Sequence, residues 1–113
     1  MKGLFMQIEQ DLISKFWIPF LFILLSIPLI LKKIKPNRVY GVRLKATLSD
    51  ESIWYRANRY FGWHIFIVGT LLVCYRLIEA KYGILQNNFM GAVSILVIIS
   101  IFSLFIYLYK IKE

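Results

Sequence analysis

One cysteine, one histidine and six acidic residues are all that this chain of 113 residues offers to chemistry. These scarcities exclude much. Cys74 is alone inside an apolar run, so one chain can form neither a disulfide framework nor a Cys-based metal site. The acids are Glu9, Asp11, Asp50, Glu51, Glu79 and Glu113, and the one adjacent pair near other polar residues, Asp50 and Glu51, would point apart on a helix. Paired carboxylates, a nucleophile beside a base, clustered metal ligands and a Gly-rich phosphate loop are all missing from the sequence pattern. An enzyme is therefore not expected, and neither a cofactor nor a metal. No internal repeat or low-complexity stretch is visible, so residues 1–113 read as a single membrane domain.

What the chain does have is apolar surface: 59% hydrophobic residues and a mean hydropathy of +0.67. A soluble domain of this size buries only roughly two-thirds of the surface its unfolded chain exposes, too little to hide so many Ile, Leu and Phe side chains. Residues 89–109 carry no charge over a length of about 31 Å, which matches the roughly 30 Å hydrocarbon core of a bilayer. Residues 16–31 form a second span, slightly short but flanked by Lys15 and Lys32, which can snorkel. The run 61–78 forms a third, interrupted only by His64 and by Arg76 near its end. The N-terminal run is not a signal peptide: Glu9 and Asp11 precede it, three lysines follow it, and no small-x-small cleavage site appears. The expected fold is an all-α integral membrane protein of three transmembrane helices. Ahead of the first span, Leu4, Phe5, Ile8 and Leu12 share one helical face, which predicts a short interfacial helix.

The net charge is +8, from 14 Lys and Arg against 6 Asp and Glu. Eight of the basic residues fall between the first two spans, where anchoring on anionic membrane lipids explains them and no nucleic acid is needed. With three spans the basic residues divide ten against four, which predicts the N-terminus outside and the long loop and C-terminus in the cytoplasm. Trp17, Tyr60, Trp63, Tyr75, Tyr107 and Tyr109 lie near span ends, as interfacial aromatic residues do.

Residues 32–60 carry most of the information. Pro36, Asn37 and Gly41 are turn residues, and Val39, Tyr40, Val42 and Leu44 are too apolar for a solvated tail, so the loop is expected to fold back on the helix ends. A helix start follows, with Thr47 or Ser49 as the N-cap and Asp50 and Glu51 complementing the helix dipole. Trp54, Asn58, Phe61 and Ile65 then share one face, so this helix should begin before the membrane and run into it.

At this spacing Pro36, Asn37, Tyr40, Gly41, Arg43, Thr47, Leu48, Trp54, Asn58, Arg59 and Gly62 resemble the signature of the SdpI family of bacterial membrane proteins. The resemblance covers residues 27–69. It implies a multi-pass protein of the bacterial cytoplasmic membrane and immunity to a secreted killing peptide that collapses the proton gradient. Some members also relay a signal by sequestering a repressor at the membrane. Leu44 stands where the pattern has Thr after the arginine, and the N-terminal membrane region of longer members is absent, so the chain resembles the short members, for which immunity alone is implied.

Individual residues carry competing expectations. Arg43 would bind a lipid phosphate, a carboxylate or an incoming peptide, or else act as a topology anchor. Asn58 would pin the loop backbone around Tyr40 and Gly41. Gly62 and Gly69, seven apart, would admit a close helix neighbour, or border a groove that holds a toxin within the bilayer. His64 is read as a satisfied interfacial histidine, with a proton-linked role as the alternative. Besides immunity, two functions remain open: a membrane anchor that sequesters a cytoplasmic regulator through Arg38 and Arg43, and a small transporter or channel subunit.

Overall fold

The structure, a computed structural model, describes residues 2–37, 39–84 and 88–112, with every side chain among them except those of Lys2, Phe5, Gln7, Ile8, Glu9, Asp11, Leu12 and Lys112. Its elements are α1 (Lys2–Ile30), α2 (Lys45–Leu48), α3 (Glu51–Tyr82) and α4 (Phe89–Lys112). Three of these are long and apolar enough to cross a bilayer: Ile13–Ile30 within α1, Glu51–Tyr82 and Phe89–Ile111. The all-helical, three-span architecture expected from the hydropathy is what the chain adopts. The molecule is elongated, 59 × 26 × 18 Å, as a bundle of near-antiparallel spans should be.

Apolar side chains cover the outside of this bundle: Phe20, Leu24, Ile95, Ile99, Phe102 and Phe105 are all exposed. In water that would be a severe cost; in lipid it is the expected surface. Packing between the helices therefore depends on close approach. Helix α3 is central, with α1 on one flank and α4 on another. A Cβ on Gly62 would stand 2.9 Å from the Leu29 Cβ, and one on Gly69 would stand 2.7 Å from Ile23 Cγ1 and 3.0 Å from the Pro19 carbonyl oxygen. Both glycines thus let α1 lie directly against α3. The groove beside Gly62 and Gly69, one expected place for a toxin, is filled by α1.

Pro19 sits fully buried at this crossing. Proline has no N–H, so in α1 it leaves the carbonyl of Lys15 without its helical donor. Arg76 of α3 supplies one: its Nε donates to the Lys15 oxygen at 2.9 Å. The same guanidinium bonds Glu79 at 2.8 Å and lies 3.5 Å above the Phe89 ring of α4, so one side chain ties three helices together at this end. Below it Val68, Leu72, Phe89 and Val93 form one apolar cluster, and toward the other end Val42, Ala57, Leu104 and Leu108 form a second.

Two expectations about helix starts need correction. No separate interfacial helix precedes the first span, because α1 runs unbroken from Lys2; the side chains of Phe5, Ile8 and Leu12 lie outside those described. Nor is Thr47 or Ser49 the N-cap of α3. Asp50 takes that position in extended conformation, and its Oδ1 accepts from the N–H groups of Ser52 and Ile53. Thr47 belongs instead to the single turn α2, with its hydroxyl turned inward. At the far end of α3, Gly83 adopts a left-handed conformation (φ 66°) and its N–H closes on the Glu79 carbonyl, a glycine cap. At about 48 Å, α3 is longer than the roughly 30 Å hydrocarbon core, so its charged first turns, with Glu51, Arg56 and Arg59, extend beyond it.

Candidate functional site

The loop between α1 and α2 begins where α1 stops. Lys32 is left-handed (φ 58°), its N–H bonds the Leu29 carbonyl, and the Lys33 N–H reaches back to the Pro28 carbonyl. This is a Schellman closure with lysine in the position glycine usually takes. The chain is thereby turned back toward α3, where Ile34 accepts a 2.9 Å hydrogen bond from the indole N–H of Trp54. Trp54 is completely buried. A buried indole needs an acceptor, and the loop backbone provides it.

Asn37 organises the next turn. Its Oδ1 accepts from the N–H groups of Val39 and Tyr40, and its Nδ2 donates to the Lys35 carbonyl. Pro36 precedes it and is exposed. Tyr40 reaches across to donate its hydroxyl to the Leu25 carbonyl on α1, and partial burial pushes its phenol above the ordinary value. It therefore remains a donor at physiological pH. Gly41 follows with φ 110°, and a Cβ there would meet Asn58 Oδ1 at 2.7 Å and the Trp54 ring at 3.3 Å. Both the backbone angle and the space demand glycine.

Asn58 is the anchor beneath this turn. It is 2% exposed, accepts the Val42 N–H at 2.6 Å and donates to the Trp54 carbonyl at 2.9 Å. Thr47, fully buried, accepts the Leu44 N–H and has the carbonyls of Val42 and Leu44 within reach of its hydroxyl. Asn37, Thr47 and Trp54 thus each spend their polar atoms on the backbone of one loop, and Asn58 divides its own between that loop and the Trp54 carbonyl of α3. Arg43 differs: it is exposed, and among the described residues only its Nε is engaged, on the Asn37 carbonyl at 2.8 Å. Arg38 lies outside the described residues. Gly62 is set apart from the cap, one helical turn beyond Asn58 at the crossing with Leu29.

Under the loop, Phe22, Leu25, Leu29, Tyr40, Phe61 and Ile65 are among the residues lining an apolar cavity of about 210 Å³. With the motif residues assembled in one cap over α1 and α3, the pattern is a folded unit rather than a set of surface matches. The profile of the SdpI/YfhL protein family matches residues 33–108, about two-thirds of the chain. The chain belongs to the SdpI/YfhL family.

The match extends past the motif loop to take in all of α3 and most of α4, further than the motif region of residues 27–69. The matched residues thus hold the cap and two of the three membrane helices, and α1 lies ahead of them. No curated protein and no solved structure matches the chain. Leu44, the departure from the family pattern, packs its side chain against the cluster of Val42, Ala57, Leu104 and Leu108, so apolar contact stands where a hydroxyl would be.

The expectation for Asn58 holds closely: the loop atom it pins is the Val42 N–H, next to Gly41. His64 has a partner, Ser103 Oγ at 3.2 Å, within a group that also holds Tyr60 and its stacked neighbour Tyr107, ring centroids 4.1 Å apart. Arg76 and Glu79 as a unit escape the sequence pattern as read above. A signal for them exists, since a basic and an acidic residue three apart at the end of an apolar run can pair on one helical face.

Proposed function

We propose that this family member is an immunity protein of the bacterial cytoplasmic membrane, protecting the cell that makes it from a secreted membrane-active peptide. The observation that carries this reading is the membership itself, joined to a motif loop whose buried polar groups are all committed to holding its shape. Such a loop is built to present something. What it presents is Arg43, exposed and, among the described residues, tied by one nitrogen, amid Lys33, Lys35 and Lys45, which are exposed too. By the basic-residue bias this cap faces the cytoplasm.

The test is survival and membrane potential of a sensitive bacterium challenged with a panel of secreted killing peptides, with and without this protein. Retained potential and survival are expected with the wild type, and Arg43→Ala at equal membrane abundance is expected to lose protection by about tenfold or more in peptide concentration. Full sensitivity despite good expression across the panel overturns the reading.

The exposed basic loop also favours a second reading, a membrane anchor for a cytoplasmic regulator. Recovery of a soluble protein with the detergent-extracted wild type, lost when Arg38 and Arg43 are both changed to alanine, would put that reading ahead.

A further inference from the structure

At the end of the bundle opposite the motif loop, the Arg76 guanidinium is fully explained by the Lys15 carbonyl, Glu79 and the Phe89 ring. Glu79 is not. The residue is 6% exposed, its Oε1 holds Arg76, and its Oε2 is shielded from solvent with no hydrogen-bond partner among the described residues. A buried acceptor left bare is destabilising, and more so when it carries charge. Glu79 also lines a cavity of about 310 Å³ together with Lys15, Arg76, Ala80 and Gly83. Lys15 is exposed at this cavity, and its backbone carbonyl, not its ammonium, serves Arg76.

We propose that this cavity is a docking site for a peptide segment, one backbone N–H donating to Glu79 Oε2 and a neighbouring carbonyl accepting from the Lys15 ammonium. The charges choose the ligand. Lys15, Arg76 and Glu79 sum to one net positive charge, which opposes a primary ammonium, while an unpaired carboxylate oxygen opposes a bare anion. A neutral group that donates and accepts within a few ångströms is the amide. The volume lies at the lower end of the roughly 300–1,000 Å³ typical of ligand sites, enough for a short segment. The proposal rests on the immunity reading and gives it a point of contact: this is the end that the basic-residue bias places outside, where a secreted peptide arrives first.

The full chain, labelled with ¹³C at its glutamate carboxyls and reconstituted in phosphatidylcholine nanodiscs, is titrated with N-acetyl-leucine N-methylamide and with its twin methylated at both amide nitrogens. A saturable shift of the Glu79 resonance is expected with the first, at least about tenfold stronger than with the twin, which lacks N–H. No shift, or equal shifts, overturns the proposal without any variant. The same displacement produced by phosphatidylglycerol nanodiscs alone would assign the cavity to a lipid headgroup and overturn it as well. In cells, Glu79→Gln keeps an oxygen for Arg76 but places an NH₂ donor where Oε2 was, and protection is expected to fall about tenfold at equal abundance and unchanged thermal transition. Undiminished protection by Glu79→Gln sinks the peptide contact and leaves immunity standing. A wild type that protects against nothing sinks immunity, and the titration still decides the cavity.

Discussion

Asn58 joins α3 to the motif loop by accepting from the Val42 N–H, while its Nδ2 donates to the Trp54 carbonyl of its own helix and so fixes the amide's orientation. Asn58→Leu fills similar volume but leaves the Val42 N–H buried and bare, so a loss of about 1–3 kcal/mol is expected in the detergent-solubilised unfolding midpoint. Asn58→Asp retains the acceptor, loses the donor and buries a charge, and it too should destabilise, less at low pH, where the carboxyl is neutral, than at neutral pH. Equal stability of both variants and the wild type would mean that the loop does not depend on this residue. The role of Asn58 is legible in the sequence because a polar residue on an otherwise apolar helical face needs a partner, and the turn residues ahead of it supply free backbone groups. The value of Glu79 is not, since an unpaired oxygen is a property of packing and not of residue type.

Helices meet here through what they lack: glycine side chains, and a proline N–H. Gly69→Leu should force α1 from α3 at Pro19 and Ile23 and cost several kcal/mol or prevent assembly. Gly91→Ala, at a position with open space around it, should be neutral or stabilise by up to about 1 kcal/mol through helix propensity. Thermal unfolding of the two side by side checks the contrast, which a uniform intolerance of glycine changes would contradict. Pro19 and Arg76 should be coupled: restoring the N–H with Pro19→Ala satisfies Lys15 internally, so Arg76→Met is expected to cost about 1 kcal/mol less in that background. A double-mutant cycle with no coupling would deny Arg76 this role. The glycine spacing on its own implies a close neighbour, but which helix fills the space depends on α1 crossing at Pro19.

As a whole the molecule is a three-span bundle with unlike ends, a polar, pinned cap at one and an arginine clamp at the other. With Cys74 replaced by Ser, a cysteine at Ser49 should resist a membrane-impermeant maleimide in intact cells, and one at Tyr82 should react; both positions are exposed. The reverse pattern would invert the topology. Length, hydropathy and the run of motif residues were enough to determine three membrane helices and the family, because a bilayer demands continuous apolar stretches and a pinned loop demands particular turn and capping residues. Tertiary structure alone decided that Asp50 starts α3, that α1 occupies the glycine groove, and that Glu79 keeps an oxygen without a partner among the described residues beside a cavity. These depend on which groups from distant parts of the chain compete for the same space and the same hydrogen bonds, and that competition exists only once the helices have packed.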